Sequence, residues 1–200
     1  TGRIAGAADL HLDEGAADVR ELAVSLGRGS WRLDTRTPAT RVSWDANGVA
    51  VSGAAFVTES DAAARLGLSG TWRPDGAGAL HVTVADAQLE TLVPSASTPT
   101  RYGGTLDADA VLRGTLAAPL VSGTMTIKKG RVERVPFELL TGRVGYTGNS
   151  FDIDFRLDQA AGVWFTATGT VPPSLLDPAL RDGPLDVVER IASINDWSFE

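Results

Sequence analysis

The chain has 200 residues, of which 43% are hydrophobic and 22% are charged, and its formal net charge is −7. This composition is typical of a globular protein with one or two domains, and it excludes a disordered or fibrous chain. The dispersed acidic charge is unlike the basic surface that binds nucleic acid, and the absence of cysteine excludes disulfides, thiolate metal sites and cysteine nucleophiles. Every uninterrupted apolar run is shorter than the ~20 residues that a membrane-spanning helix needs.

Alternating apolar and polar residues predict a series of β-strands in the first half of the chain, because successive strand side chains point to opposite faces. Proline and glycine turns such as Pro74-Asp75-Gly76 separate these segments. Residues 61–65 fit either one helical turn or a polar hairpin connection, and residues 89–93 are less regular. The predicted strands include residues 4–10, 22–26, 31–33, 66–72 and 80–84.

A β-hairpin is predicted around Asn47-Gly48. Val42 and Trp44 precede this pair, and an alternating run follows it from Val49. Asn-Gly between two such runs is the strongest short-range hairpin signal, because both residues accept a positive φ. The preceding Asp45 also makes this segment similar to the start of a calcium loop, although the later acidic ligands are missing.

The clearest strand pattern lies between Tyr102 and Pro172, which the sequence predicts to be short strands separated by glycine turns. Within it, four apolar residues alternate strictly with charged ones over residues 151–158. This segment is therefore predicted to have one apolar and one charged face. What the apolar face contacts becomes the functional question.

The second half of the chain repeats the first. Residues 42–51 align with residues 144–153 at an offset of 102 positions (144 minus 42), with turns and aromatic residues in corresponding places. A unit of about a hundred residues that occurs almost twice indicates an elongated repeat protein. We therefore predict a first β unit at residues 1–98, a second at 99–173, and a joint with the start of a third unit at 174–200.

Two segments of this division carry further expectations. Residues 94–100 are rich in serine, threonine and proline and are predicted to be a linker or long loop. Residues 185–194 favour a strand, with a short helix as the competing prediction because apolar residues also occur there at helical spacing. Since a strand pattern is already under way at the first residues, we expect the chain to be a segment of a longer protein.

The sequence contains no recognisable catalytic constellation, so we expect a protein that is not an enzyme and uses no metal or cofactor. His11 and His81 each stand alone, and no phosphate loop or nucleophile elbow is present. Asp152 and Asp154 are spaced as a paired-carboxylate site would be, but they share their face with Arg156, which favours a solvated polar surface.

Two smaller features remain open at this stage. Four basic residues between Lys128 and Arg134 are interpreted as a hairpin tip, with contact to a lipid headgroup or a partner as the alternative. Trp164 alternates with Val163 and Phe165 and is predicted to face away from the main apolar row.

Residues 114–130, 144–151 and 167–172, taken in order, resemble the repeats of the TamB family (translocation and assembly module, inner-membrane component). The AsmA-like group of bridge-like lipid transfer proteins shares this style. The resemblance implies an all-β fold in which a long sheet curls lengthwise into a taco-shaped (β-taco) or half-pipe groove, apolar inside and polar outside. It also implies a periplasmic protein of a two-membrane bacterium, anchored in the inner membrane at full length, that carries phospholipid and can work with an outer-membrane barrel protein.

The leading prediction is a non-enzymatic segment with an apolar groove for phospholipid acyl chains, acting in intermembrane lipid transport and outer membrane biogenesis. The linear repeat offers neither a second layer nor amphipathic helices to cover its apolar face, so the sheet either closes on itself or leaves an open trough. The residues predicted to line the groove are Val49, Val51, Leu66, Leu68, Val82, Leu106, Leu112, Met125, Ile127, Val144, Tyr146, Phe151, Ile153, Phe155, Leu157, Val163, Phe165 and Val171.

Three other functions are alternatives to lipid transport. The main alternative is a scaffold or chaperone module for outer-membrane protein assembly, which would bind its clients by β-strand addition. A closed solenoid adhesin is disfavoured because solenoid repeats usually have ~20–50 residues. A glycan-processing enzyme is disfavoured because clustered carboxylates with a histidine partner are missing.

Overall fold

The structure is a computed structural model that describes residues 2–26, 29–36, 39–58, 63–92, 102–148 and 150–171. Within these ranges the chain forms one large antiparallel sheet, and the prediction of an all-β fold is confirmed. A short helix, α1 (Leu89–Leu92), lies between the seventh and eighth strands. The strands are β1 (Gly2–His11), β2 (Ala16–Leu26), β3 (Gly29–Leu33), β4 (Thr40–Asp45), β5 (Gly48–Thr58), β6 (Arg65–Trp72), β7 (Ala79–Gln88), β8 (Tyr102–Gly114), β9 (Pro119–Val132), β10 (Val135–Tyr146), β11 (Phe151–Ala160) and β12 (Val163–Val171).

The sheet is a meander in which strands that follow one another in sequence are neighbours in space, with one exception at β3 and β4. Both of these strands pair with β2 on one side and β5 on the other. β3 pairs with residues 23–26 of β2, and β4 pairs with residues 16–19. β3 and β4 are therefore two halves of one strand position, interrupted after Leu33.

The strands of the second half are longer than predicted. β8, β9 and β10 have 13, 14 and 12 residues, whereas the sequence predicted short strands separated by glycine turns. Two glycines of this segment lie inside strands rather than in turns: Gly123 pairs with Ala110 and Val144, and Gly142 pairs with Met125. A glycine inside a strand often marks a bulge, a bend or a place where another group approaches the backbone closely.

The predicted hairpin is present between β4 and β5, but its loop lies one residue earlier than expected. Asp45 pairs with Gly48, so Ala46 and Asn47 form the loop. The Asp45 carboxylate accepts hydrogen bonds from the backbone N–H of Asn47 at 2.7 Å and of Gly48 at 3.0 Å. This side-chain turn removes the need for a positive φ at Asn47, and only Gly48 of the pair has one, at 151°. The expectation of two positive φ angles was therefore wrong.

Of the other predicted turns and connections, some agree with the structure and some do not. The predicted Pro74-Asp75-Gly76 turn is confirmed, with Gly76 at a φ of 79°. The less regular segment after β7 begins with the helix α1, which the sequence did not predict. Residues 61–62, the predicted linker at 94–100 and the strand or helix at 185–194 lie outside the described residues.

Buried side chains are concentrated in the first half of the chain. Trp31 and Leu33 of β3 cluster with Ala54 and Phe56 of β5, and with two buried alanines at positions 64 and 87. Leu92 of α1 and half-buried residues of the neighbouring strands pack against this cluster. Among the described residues no large side chain is less than 2% exposed, which is what a sheet without a second covering sheet leads to.

Candidate functional site

Cross-strand pairing assigns the residues of each strand to one face of the sheet or the other. Directly paired residues of antiparallel strands place their side chains on the same face, and successive residues alternate. Ile153, for example, pairs with Val144 of β10 and Gly169 of β12, and Val144 in turn pairs with Gly123 of β9. Following such pairs from strand to strand shows which residues, even when far apart in sequence, lie on the same face of the sheet.

All eighteen predicted groove residues lie on the same face, which we call the apolar face. The pairs Phe155 with Gly142, Gly142 with Met125 and Met125 with Ala108 connect β11 to β8. The assignment then continues through β7 to β5, where register shifts at bulges preserve the face of the flanking residues. The residues on the apolar face thus run from β5 to β12 without a change of side.

Outside the buried cluster around Phe56, which lies on the same face, the apolar face has no covering sheet in the described part of the chain. Of the eighteen residues only Ile127 is buried, at 8% exposure, whereas Val163 and Phe165 are 52% and 42% exposed. The remaining residues of the set are half-buried, apart from the exposed Val49. The substantial contacts between elements are those of hydrogen-bonded strands, together with those of α1 with β7 and β8. In an ordinary sandwich this face would instead be sealed by a second sheet.

Across β8–β12 the apolar face contains four complete rows of residues that run perpendicular to the strands. The two outer rows contain only large side chains: Leu112, Val121, Tyr146, Phe151 and Val171 in one, and Leu106, Ile127, Leu140, Leu157 and Phe165 in the other. Six of the ten residues in the two middle rows are glycine or alanine. These rows are Ala110, Gly123, Val144, Ile153 and Gly169, and Ala108, Met125, Gly142, Phe155 and Ala167.

The aromatic ring of Phe155 lies against the backbone of Gly142. A Cβ atom built on Gly142 would overlap this ring, and it would also lie 2.5 Å from the backbone carbonyl oxygen of Asp154. The ring thus occupies the space that a side chain at position 142 would otherwise fill. An aromatic ring that covers a cross-strand glycine shields the exposed backbone and stabilises the pair.

The aromatic pair Tyr146 and Phe151 closes the β10–β11 hairpin on the apolar face. Their ring centroids are 4.7 Å apart and tilted by 37°, a geometry that is favourable for aromatic rings. The Tyr146 hydroxyl donates to the carbonyl oxygen of Gly148 at 2.6 Å. Its polar group is therefore directed to the loop, which leaves the apolar body of the ring on the apolar face.

The opposite face of β10–β12 is polar. The Asp152 carboxylate accepts a hydrogen bond from the Thr170 hydroxyl at 2.8 Å, and Asp154 lies 3.0 Å from the Arg143 guanidinium. Both carboxylates are exposed. Each therefore has its own cross-strand partner, and the geometry is that of a solvated polar surface rather than a paired-carboxylate site.

Trp164 lies on this polar face, as predicted. It pairs with Asp158 of β11, and the Arg156 guanidinium carbon is 4.8 Å from the centroid of its ring. This is a cation–π contact. The neighbouring Phe165 pairs with Leu157 on the apolar face.

The basic cluster lies along the end of β9 that leads into the tight turn at residues 133–134, in agreement with a hairpin tip. Lys128 is 2.7 Å from the carboxylate of Asp107, and Arg131 is 3.8 Å from Glu90. The pKa of Asp107 is lowered mainly by a hydrogen bond from the backbone N–H of Asp86, and also by the hydrogen bond from Lys128. Carboxylates thus offset part of the positive charge of this cluster.

The two histidines lie on different strands, His11 on β1 and His81 on β7. His11 lies 3.0 Å from Asp18, and His81 is exposed between β6 and β8. In the part of the chain that the structure describes, no group of three or more His, Cys, Asp or Glu side chains is placed to hold a metal ion. The helix found there is not long and apolar enough to cross a membrane.

The sequence missed two kinds of residue. Leu140 and Gly142 complete the apolar face of β10, but the adjacent Leu139 and the glycine obscure the alternation. Asp34 is a buried carboxylate, 5% exposed, that lies between Arg36 and Arg65, and nothing in the local sequence pattern signals its burial.

A scan of protein-family models found no match, and searches of curated proteins and of solved structures found none either.

Proposed function

We propose that this chain is a non-enzymatic segment of a TamB-type or AsmA-like protein of the bacterial periplasm, and that its apolar face binds phospholipid acyl chains during transport between the two membranes. The observation that carries this proposal is the continuity of the apolar face from β5 to β12, together with the lack of a covering sheet among the described residues outside the buried cluster around Phe56. Extended apolar patches are rare on monomeric proteins unless something binds to them.

In this proposal the sheet curls lengthwise into a half-pipe with the apolar face inside. Irregularities in three successive strands support curvature: Asp86 of β7, Gly104 of β8 and Lys129 of β9 have φ angles of 52°, 124° and 49°. The register shifts beside Asp86 and Gly104, and such bulges bend a strand and increase its twist. Because the strands are antiparallel, the C-terminal ends of β7 and β9 lie beside the N-terminal end of β8, and all three irregular residues lie there. Their bends therefore accumulate along one side of the sheet.

We also propose that the hairpins β4–β5 and β10–β11 are equivalent parts of a repeat of about a hundred residues. Trp44 pairs with Val49 in the first hairpin, and Tyr146 pairs with Phe151 in the second. In both hairpins an aromatic residue just before the turn lies on the apolar face. If every repeat places its corresponding residues on the same face of the sheet, each added unit extends the apolar face.

The chemistry of the apolar face suits an acyl chain that must be both held and released. Burial of a methylene group contributes about 0.8 kcal/mol, and the interaction has no directional requirement. The groove residues carry no charged group, and the one hydroxyl among them, that of Tyr146, bonds to Gly148. An acyl chain would therefore gain affinity from contact area while remaining able to slide along the rows, with its headgroup in water.

Site-specific photocrosslinking in cells tests the proposal. A photoreactive residue is placed at Leu112, Ile153 or Phe155 of the apolar face, and at the sequence neighbours Val111 and Asp154 as controls on the polar face. We expect phospholipid adducts, identified by mass spectrometry, at the three apolar positions and none at the controls. Absence of lipid adducts at all three apolar positions would contradict lipid transport.

The second candidate function is assembly of outer-membrane proteins by strand addition. Within the described residues β12 pairs only with β11, so its other edge presents backbone groups of the kind that add a strand. This function predicts crosslinks from outward-facing edge positions of β12 to newly made protein. Protein adducts at β12 together with no lipid adducts at Ile153 would favour it.

A further inference from the structure

Phe155 is the largest side chain in the two middle rows of the apolar face on β8–β12, and both of its cross-strand partners are small. It pairs with Gly142 on β10 and with Ala167 on β12. A phenylalanine that stood upright at this point would project into the middle of the surface. How its ring is held therefore determines how much space remains above the centre of the apolar face.

The structure shows the ring lying over Gly142, where a Cβ atom would overlap it. The adjacent aromatic ring at the hairpin, that of Phe151, instead contacts another ring, Tyr146. The absence of a side chain at Gly142 is thus the condition that allows the ring of Phe155 to lie against the backbone of β10. Any larger residue at position 142 must displace the ring away from the backbone of β10.

We propose that Gly142 and Phe155 together set the clearance of the groove, so that Phe155 is the residue that limits the cross-section of the acyl chain that passes. With glycine at position 142 the ring forms part of the groove floor. With a side chain there, the ring is raised into the path of the acyl chain. This inference rests on the proposed function and names the residue that determines its selectivity.

A competing explanation is that Gly142 is required only for the approach of the two strands, because an added Cβ would also lie 2.5 Å from the carbonyl oxygen of Asp154. The two explanations differ in what happens when the ring is removed. If the ring is the obstruction, Phe155→Ala cancels the effect of a side chain at position 142. If the backbone contact alone matters, Phe155→Ala leaves that effect unchanged.

The experiment measures phospholipid adducts from a photoreactive residue at Ile153 in five backgrounds of the full-length protein in cells. These are the native sequence, Gly142→Ala, Phe155→Ala, the double variant and Gly145→Ala. Gly145 is the matched control, because it lies in the same strand on the polar face and an added Cβ would meet its nearest neighbour, Asp152, at an ordinary 3.7 Å. Abundance and protease resistance of each variant are measured in parallel as a check of folding.

We expect Gly142→Ala to lose most of the adduct, Phe155→Ala to increase it, and the double variant to recover it, with Gly145→Ala unchanged. Native adduct levels in Gly142→Ala, or no recovery in the double variant, would overturn the role of the ring. If Gly142→Ala does not fold, Phe155→Ala decides: increased adduct supports the proposal, and unchanged or lost adduct overturns it. Absence of adduct from the native sequence would instead count against the proposed function itself.

Discussion

The guanidinium carbon of Arg156 lies 4.8 Å from the ring centroid of Trp164, on the face of the sheet opposite to Phe165. Trp164 and Phe165 are neighbours in sequence, and their exposures of 45% and 42% are almost the same. Exposure therefore does not show on which face of the sheet a residue lies. The register of the strands does.

The first prediction concerns this pair of neighbours. A photoreactive residue at Phe165 should give phospholipid adducts, because Phe165 belongs to an outer row of the apolar face, whereas one at Trp164 should give none. The two sites differ by one position in sequence and hardly at all in exposure, so each controls for the other. Equal lipid labelling at both sites would show that labelling follows exposure rather than the face.

The second prediction contrasts the two halves of the apolar face. Phe56 is 7% exposed within the buried cluster, whereas Phe165 is 42% exposed. Phe56→Ala should lower the free energy of unfolding by about 3 kcal/mol, because a buried phenylalanine leaves a cavity. Phe165→Ala should cost less than about 1 kcal/mol, as expected for a largely exposed site. Urea unfolding followed by circular dichroism measures both, and equal losses would contradict an open face at β12.

The third prediction is a dependence of stability on pH that arises from Asp34. Hydrogen bonds from the side chain and backbone of Arg36 lower the pKa of Asp34 from 3.8 to about 2. A carboxyl group whose pKa is lower in the folded state contributes stability above its unfolded pKa, and this is lost as the pH falls through the folded value. The native protein should therefore lose more stability than Asp34→Asn as the pH is lowered from about 4 to 2.

Thermal unfolding across this pH range measures the difference. Asp34→Asn should already be less stable than the native protein at pH 7, because its amide carries no charge to balance Arg36 and Arg65. Asp13→Asn, at an exposed turn position, removes the same charge and serves as the control. Parallel pH profiles for the native protein and Asp34→Asn would contradict the role given to Asp34.

The fourth prediction concerns two glycines that both have a left-handed backbone. Gly15 has a φ of 59° and Gly162 a φ of 80°. A Cβ at Gly15 would overlap the carbonyl oxygen of Trp44, whereas a Cβ at Gly162 would meet nothing within 4 Å. Both alanine substitutions should cost about 1–2 kcal/mol for the backbone conformation, and Gly15→Ala should cost more because of the added overlap. Urea unfolding compares them, and equal costs would show that the backbone at Trp44 relaxes without penalty.

The local sequence predicted much of the strand structure because alternation is a property of neighbouring residues. Residues 151–158 alternate strictly, and β11 has the predicted faces. Predictions failed where a side chain or a distant partner replaced a local preference. Asp45 stabilises the hairpin loop and shifts it by one residue, and strand partners on both sides hold Gly123 and Gly142 within strands rather than turns.

In regular strands such as β11, which side chains share a face was determined by the sequence alone, because period-two alternation needs no knowledge of the partner strand. The tertiary structure decided which residues stand side by side: β3 and β4 occupy one strand position, and Phe155 lies across Gly142. It also decided that the apolar side is buried around Phe56 and accessible around Phe165. The register of the strands and the burial of the apolar side both depend on contacts between segments far apart in the chain. Such contacts leave no periodic signal in either segment.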